Sequence, residues 1–476
     1  MKQAEKTDML LVLIRERKPM TVAQQLQLTV YLSIPAIIAQ LSAIIMQYID
    51  ASMVGSLGAE GAASIGLIST TTWLFFGLCG AGGMGFSVQV AHCIGAGDMS
   101  GARAVLRQSL TAIMIYSLIL AALGVAISPF LPGWLGGDES ICRDASLYFL
   151  IFSLFLPALQ MNYLAGGMLR CSGNMHIPSL MGVVMCILDI IFNFFLIFPS
   201  REMHLCGISF FVPGAGFGVE GAALGTALAE TIVTGILLWY LLSRSKELSL
   251  KVEKGSFRPA KSTLKKALRI GFPMGIEHIV ICGAQIMTTV IVAPLGVFAI
   301  AANSFGITAE SLCYMPGYGI ADAATTLIGQ SMGAKRVRLT RSFARITVLM
   351  GMIVMGFMGL IMYVFAPQII GLMTPVEEIR QLGVMALRIE AFAEPFFAAS
   401  LVSYGVFVGA ADTFIPCLMS FFSIWAVRLS LAVILAPTMG LKGVWIAMCA
   451  ELCFRGIIFL VRLLRERWMR KICSNK

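Results

Sequence analysis

Twelve apolar stretches, each about 20 residues long, constrain the fold of this chain more than any other feature of its sequence. A helix of that length crosses the roughly 30 Å of hydrocarbon in a bilayer. Only 13% of the 476 residues are charged, whereas a soluble domain usually carries about 25%. The sequence therefore predicts an all-α membrane protein with transmembrane helices centred near residues 42, 77, 116, 154, 187, 231, 281, 314, 354, 395, 425 and 453.

The basic residues cluster between alternate predicted spans, mainly at 244–269, at 335–345 and in the tail from Arg462. Cytoplasmic loops of membrane proteins carry such an excess of lysine and arginine. The pattern predicts a multi-pass protein of the plasma (inner) membrane with both termini cytoplasmic. It also explains the net charge of +10 without nucleic acid, and leaves membrane lipids as the expected contact of the basic surface. The short apolar run Met9–Ile14 predicts an amphipathic helix lying on the membrane rather than a signal peptide.

The chain repeats itself at an offset of 238 residues. This offset pairs four prolines of the first half with four of the second: Pro35 with Pro273, Pro129 with Pro367, Pro157 with Pro395, and Pro178 with Pro416. It also pairs "HCIGAGDMSGAR" (92–103) with "QSMGAKRVRLTR" (330–341). After the fifth span the offset becomes 222, because the first half has a longer loop at 200–217. Agreement of so many helix breakers predicts an internal duplication.

Six spans in each copy bring both copies into and out of the membrane on the same side. The prediction is an N-terminal lobe at 1–243, a basic cytoplasmic linker at 244–267 and a C-terminal lobe at 268–476. The lobes are expected to be related by a pseudo-two-fold axis along the membrane normal, with substrate between them. The two Gly-Ala segments are predicted to form tight cytoplasmic turns, in which glycine permits positive φ and a following arginine meets lipid headgroups.

The sequence lacks the motifs expected of an enzyme or of a pump driven by nucleotide hydrolysis. The four histidines stand singly or near loops, and the twelve cysteines form neither a Cys-x-x-Cys pair nor a cluster with histidine. The "GAGD" at 95–98 lacks the lysine and serine or threonine of a phosphate-binding loop. We therefore expect a protein without enzymatic activity or cofactor.

Ionisable residues within the predicted spans are the candidates for function, because they are costly in hydrocarbon. Most of them are acids, which suits a cationic ligand: Asp50, Asp189, Glu230, Glu277, Glu310, Asp322, Glu390, Glu394 and Glu451, beside Arg428 and Arg455.

Several motifs resemble the multidrug and toxic-compound extrusion (MATE) family across nearly the whole chain. They are "YIDASMVGSLG" (48–58), "HCIGAGD" (92–98), "LRCSGNMHIP" (169–178), "GVEGAALGTALAE" (218–230), "GYGIADAATTLIGQSMGA" (317–334), "GVFVGAADTFIP" (405–416) and "VRLSLAVIL" (427–435). The resemblance implies a V-shaped, two-lobed antiporter that exports small lipophilic organic cations by alternating access, in exchange for H⁺ or Na⁺. We expect a monomer that needs no cofactor besides this coupling ion.

The resemblance carries over onto three candidate ion-coupling residues, Asp50, Asp189 and Asn193, which would also be the ligands of Na⁺. Asp50 matches the family's first-span aspartate; the alternative is an aspartate that caps the outer end of the helix. The fifth span of the family commonly reads Asn-x-x-x-Asp, and here the order is reversed. Residues four apart share a helix face, so both groups are expected to face one cavity. The alternative is a hydrogen-bonded pair with a packing role.

A substrate cavity is expected at Glu277, Gln285, Glu310, Glu394 and Tyr163. Other branches of the family place their seventh-span glutamate about a turn further from the proline than Glu277. Glu277 is therefore either a cavity residue or bonded across to Arg428 or another span. Pro35 and Pro273 are candidate helix kinks, since proline removes a backbone hydrogen bond.

The function expected from these features is secondary active export of organic cations or drugs. The rival within the same wider superfamily is a flippase for a lipid-linked saccharide. That protein would need a basic central cavity for pyrophosphate, whereas the charges within these spans are chiefly acidic.

Overall fold

A computed structural model describes residues 2–205 and 208–469 of the chain, and this part is helical apart from one β-hairpin. The first half contains α1 (Lys2–Arg15), α2 (Val22–Gly55), α3 (Ala59–Gly95), α4 (Met99–Ile127), α5 (Leu131–Trp134), α6 (Glu139–Ser172), α7 (His176–Leu196), β1 (Pro199–Leu205), β2 (Ile208–Ala215) and α8 (Gly218–Ser243). The second half contains α9 (Lys261–Val292), α10 (Val297–Gly333), α11 (Val337–Met373), α12 (Glu377–Glu390), α13 (Glu394–Gly409), α14 (Phe414–Phe422), α15 (Ser430–Met439) and α16 (Leu441–Leu464). A π-helical turn at Ser423–Leu429 joins α14 to α15, and short 3₁₀ turns lie at Ala293–Leu295 and Arg467–Met469.

Ten helices of the described part are long and apolar enough to cross a membrane, and the bent pair α12–α13 makes eleven. The chain is therefore a multi-pass membrane protein. The predicted eighth span coincides with α10, which is 37 residues long but is not among these helices. Its sequence includes Glu310, Asp322 and many small or hydroxyl-bearing residues, which lower its hydropathy. Twelve spans accordingly remain a prediction.

The internal repeat is visible in the backbone as well as in the sequence. Positive φ angles occur at equivalent positions of the two copies, in the pairs Gly58 (121°) and Gly296 (100°), Gly97 (81°) and Lys335 (57°), Gly173 (96°) and Ala411 (57°), and, at the offset of 222, Gly218 (57°) and Gly440 (60°). Turn geometry has therefore been retained even where glycine has been replaced by a residue with a side chain.

The two Gly-Ala segments form tight turns, and glycine takes the positive φ in the first of them only. Positive φ falls at Gly97 and Lys335, two residues after the repeated Gly95 and Gly333. The following arginines are held by the protein: Arg103 donates to the carbonyl of Glu247 (3.1 Å), and Arg341 pairs with Glu466. Both arginines thus have acceptors within the chain, and their contact with lipid headgroups stays a prediction.

Proline has different consequences in different helices. Pro35 and Pro273 lie inside helices that continue through them, α2 and α9. In the described part, one apolar span is broken after Glu390, where α12 and α13 meet at an angle of 59°. Pro395 lies in the first turn of α13. Proline is favoured in a first turn because its missing N–H has no helical partner there.

The first half has a hairpin where the second half has a short connection. Strand β1 pairs with β2 in antiparallel register, and Ser200 exchanges hydrogen bonds with Gly214 (3.0 and 3.1 Å). This hairpin accounts for the predicted longer loop at 200–217. It joins the end of α7 to the start of α8.

Helix α1 packs against the protein rather than only on the membrane surface. Leu11 and Ile14 are buried in a cluster formed with α2, α10, α11 and α16. Arg15 pairs with Glu247 (3.0 Å), and the carbonyl of Leu13 accepts a hydrogen bond from Arg336 (2.9 Å). The first helix is therefore fastened at the end of the molecule that carries the Gly-Ala turns and the 244–260 segment. We refer to this end as the basic end.

Candidate functional site

The carboxyl cluster consists of Asp50 on α2 with Asp189 and Asn193 on α7. The amide Nδ2 of Asn193 donates to Oδ1 of Asp50 (2.8 Å) and to Oδ2 of Asp189 (3.1 Å). Asp189 and Asn193 are fully buried, and Asp50 is half-buried. The three residues singled out as ion-coupling candidates thus lie together, with one neutral amide bridging two acids.

Two features of the helices bring these side chains together. Asp189 and Asn193 are one turn apart, so both project from the same face of α7. A methyl group at Gly225 of α8 would collide with the side chain of Asn193, so glycine at that position makes room for the amide. Asp50 lies five residues before the end of α2, which runs to Gly55. It is therefore a residue of the helix interior and not a cap.

The cluster has more acceptor atoms than donors. Oδ1 of Asp189 and Oδ1 of Asn193 are buried and have no hydrogen-bond partner among the described residues. Neither Asp50 nor Asp189 belongs to any of the ion pairs described in the structure. Two ionised carboxylates in such a place would be strongly unfavourable, so the site is suited to bind a proton or a small cation.

Further polar groups of α6 and α8 adjoin the cluster, and the sequence analysis did not include them in the site. The hydroxyl of Thr226 lies beside Asp189, and Glu230 follows one turn later on α8. Glu230 is buried and accepts a hydrogen bond from the amide of Asn162 on α6. The spacing of Thr226 and Glu230 on one helix face, next to Gly225 in "GAALGTALAE", was the available signal.

The second half encloses a separate set of buried charges, which we call the acid network. It consists of Glu310, Glu390, Glu394 and Glu451 together with Arg428 and Arg455. Arg455 pairs with Glu451 (3.1 Å), which also accepts a hydrogen bond from Ser423 (2.7 Å). The carboxyl oxygens of Glu390 and Glu394 are buried without a hydrogen-bond partner among the described residues.

The residues predicted to line a substrate cavity are not all brought together. Glu310 and Glu394 belong to the acid network and are buried, as is Glu277. Glu277 lies near the hydroxyls of Tyr404 on α13 and Ser420 on α14 and near the charge of Arg455, which agrees with the alternative of a bond to another span.

The other two predicted cavity residues lie elsewhere. Gln285 lines a small cavity of about 40 Å³ with Asn303 and Arg428. Tyr163 lies in the first half, against Gly80 of α3 and near Glu230. The five residues thus have different surroundings in the described part of the chain, and their role in binding substrate stays a prediction.

The MatE family model matches the chain twice, at residues 35–195 and 273–434, which together are more than half of its length. The chain belongs to the MatE family. The two matches begin at Pro35 and Pro273, the first pair of prolines in the repeat, and this agrees with an internal duplication. The expected family membership is thereby confirmed.

Relatives and solved structures extend this likeness over almost the whole chain. A probable multidrug resistance protein NorM from Thermotoga maritima is 27% identical over 453 residues, 92% of this chain and 92% of the relative. One of the same name from Idiomarina loihiensis is 25% identical, over 92% of this chain and 94% of the relative.

Two solved structures superimpose with a TM-score of 0.86. A MATE protein in complex with MaL6 is 22% identical, covering 97% of this chain and 99% of that one. A MOP-superfamily transporter from Pyrococcus furiosus is 21% identical, covering 97% and 98%. The chain therefore has the helical fold of MATE transporters, and it is a membrane transporter rather than an enzyme.

Proposed function

We propose that this MatE protein is a secondary active antiporter that exports organic cations or drugs in exchange for H⁺ or Na⁺ by alternating access. The observation that carries the proposal is the carboxyl cluster, in which Asp50 and Asp189 share one amide donor and have no positive partner among the described residues. Related proteins bear the name of probable multidrug resistance proteins, which supports drugs as the substrate class.

The cluster has the chemistry needed for a coupling ion. A proton bound by Asp50 or Asp189 removes one of two neighbouring negative charges. A sodium ion would instead use the free oxygens of Asp189 and Asn193 together with the carboxylate of Asp50. In either case the ion neutralises a buried charge, so its binding changes the stability of conformations that bury or expose the site.

Antiport follows if the ion and the organic cation favour opposite conformations. A bound species shifts a conformational equilibrium only through its different affinity for the two states. We propose that the ion enters from the outside, that the outward-facing state then releases the organic cation, and that the inward-facing state releases the ion. Twelve spans, two six-helix lobes at 1–243 and 268–476, and cytoplasmic termini are part of this proposal.

The buried charges favour a cationic substrate over the rival substrate class. The acids of the acid network outnumber its arginines, and Glu277 adds a further carboxyl group. A flippase for lipid-linked saccharides would require positive charge for a pyrophosphate. We therefore propose that the second half attracts the organic cation, with the protein acting as a monomer in the plasma (inner) membrane.

The test is transport by the purified protein in proteoliposomes, with ethidium as the fluorescent cation. A pH gradient and a sodium gradient are imposed separately, with the membrane potential clamped. Ethidium movement driven by one gradient, and lost when that gradient is dissipated, supports antiport and identifies the ion. Monodisperse protein that moves ethidium under neither gradient would overturn the proposal, and the Asp138→Asn variant controls for the loss of an exposed acid.

A further inference from the structure

Helices α3 and α10 cross at the basic end with almost no space between their backbones. A methyl group at Gly95 would collide with the carbonyl oxygen of Gln330, and one at Gly333 would collide with the carbonyl oxygen of His92. One turn earlier, a methyl group at Gly329 would meet Ala91 at 2.7 Å. The crossing is therefore possible only with glycine at these positions.

Two hydrogen bonds flank this crossing and join opposite halves of the chain. The Nε2 atom of His92, on α3, lies 2.8 Å from the carbonyl oxygen of Gly409 at the end of α13. The Nε2 atom of Gln330, on α10, donates to the carbonyl oxygen of Cys171 at the end of α6 (2.9 Å). Both contacts are made by a side chain of one half to a main-chain carbonyl of the other.

These contacts are related by the offset of the internal repeat. At 238 residues, His92 is equivalent to Gln330, Cys171 to Gly409, Gly95 to Gly333 and Ala91 to Gly329. Each half therefore supplies the same elements: a donor on a long helix, a glycine at the point of contact and a carbonyl acceptor. Such agreement is expected of an interface on the pseudo-two-fold axis, where each half contacts its own copy.

Terminal segments of the chain reinforce both sides of the crossing. On the Cys171 side, Arg15 of α1 donates to the carbonyl of Ser172 (3.1 Å), and Leu11 lies against Gly173. On the Gly409 side, Arg462 of α16 pairs with Asp412. The interface is buried as well, since Gln330 has no exposed surface.

We propose that this crossing is a symmetric clasp that holds the basic end closed and must separate for the inward-facing state to form. The proposal deepens the proposed function, because alternating access requires one end to open while the other closes. It identifies His92 and Gln330 as positioning residues that set the population of the closed state without contacting the transported species. Removing one donor should loosen both flanks together, since one rigid crossing connects them.

The chain offers a closely matched control for this test. Gln160 is also fully buried, and its Nε2 atom also donates to the carbonyl of a cysteine, Cys79 (3.0 Å), but both residues belong to the first half. Gln330→Met and Gln160→Met therefore remove the same type of bond, across the halves in one case and within a half in the other.

Amide hydrogen exchange of the purified protein in nanodiscs, without substrate or ion gradient, measures the clasp directly. We expect Gln330→Met to accelerate exchange about fivefold at both turns, 90–98 and 328–336, relative to Gln160→Met, as loss of one hydrogen bond allows. Acceleration confined to 328–336, or equal in the two variants, would overturn the proposal. Because hydrogen exchange is measured without transport, the clasp can be rejected while ion-coupled antiport is retained, and the reverse also holds.

A second pair of variants tests the close approach. Gly95→Ala adds a methyl group at the crossing, whereas Gly66→Ala adds one on the same helix where no atom lies within 4 Å. Faster exchange at both turns in Gly95→Ala alone supports the clasp. Unchanged exchange in folded Gly95→Ala contradicts it. If Gly95→Ala does not fold, the Gln330→Met comparison decides.

Discussion

The amide of Asn193 explains how this chain tolerates a reversed order of acid and amide in α7. It donates one hydrogen to Asp50 and the other to Asp189, so one neutral group serves both carboxyl groups. The two carboxyl groups are also direct neighbours of each other. The reversed order therefore keeps all three groups together.

Replacement of Asp50 by asparagine tests the coupling role directly. Asp50→Asn removes the charge with little change in size, and loss of a buried acid does not oppose membrane insertion. We expect normal yield and monodispersity, with ion-driven ethidium efflux lowered at least about tenfold, the effect of 1.4 kcal/mol.

The matched control for that experiment is Asp138→Asn, which removes an exposed acid before α6. Efflux by well-folded Asp50→Asn at the rate of Asp138→Asn would show that Asp50 is not needed for coupling.

A double exchange tests whether Asp189 and Asn193 act as a unit. Asp189→Asn combined with Asn193→Asp restores the common order of the family and keeps both groups on one helix face. We expect the double variant to retain partial efflux, because an amide still lies one turn from a carboxyl group. The single variant Asp189→Asn should lose most efflux. Both are compared at equal reconstituted protein, and normal efflux by the single variant would place coupling outside this pair.

Some of the site was accessible from sequence because acids within apolar runs are conspicuous. Asp50 and Asp189 stood out for that reason, Asn193 was found through the family motif and its position one turn from Asp189, and the structure brings the three together. Thr226 and Asn162 did not stand out, since hydroxyl and amide groups within helices usually bond to their own backbone. Thr226 and Asn162 belong to the site because α6 and α8 pack beside α7. The packing of helices against one another cannot be predicted from a single sequence.

At the level of helices, the sequence predicted their positions better than their breaks. Proline at 35, 157, 273 and 395 looks alike in the sequence, yet of these four only Pro395 stands beside a break between helices, while α2, α6 and α9 continue through theirs. A proline permits a bend, and packing decides whether one forms. The same reasoning applies to α10, whose low hydropathy reflects the small residues that allow its close approach to α2 and α3.

The packing of α1 leads to a stability prediction. Leu11 is 1% exposed within a cluster that includes α2 and α10, whereas Met9 of the same helix is 69% exposed. We expect Leu11→Ala to lower the stability by about 2–5 kcal/mol, as burial in a packed core implies. Met9→Ala should leave it unchanged. Thermal unfolding in detergent measures both, and equal melting temperatures would mean that α1 only rests on the membrane.

For the molecule as a whole, the distribution of charge predicts a topology. Asp138 precedes α6, and Lys254 lies in the segment between α8 and α9, and both are exposed. Under the predicted orientation, a cysteine introduced at Asp138 reacts with an impermeant maleimide added outside intact cells. One introduced at Lys254 reacts only after permeabilisation. The opposite pattern would invert the proposed orientation, and expression of both variants is checked by immunoblotting.

The duplication was readable from sequence because prolines and glycines keep their spacing after other residues have changed. What could not be read is that the equivalent turns meet each other across the two halves. That contact depends on the packing of α3 against α10. The sequence indicates only that Gly95 and Gly333 lie near turns, whereas the structure places each of them against the backbone of the other helix.

The acceptors of the clasp are main-chain carbonyls, and this bears on how the protein has diverged since its gene was duplicated. A carbonyl persists whatever side chain a codon specifies, so mutation at position 171 cannot delete that acceptor. Only the donors and the glycines depend on the side chain at their positions, and the donors differ between the two copies, imidazole in one and carboxamide in the other.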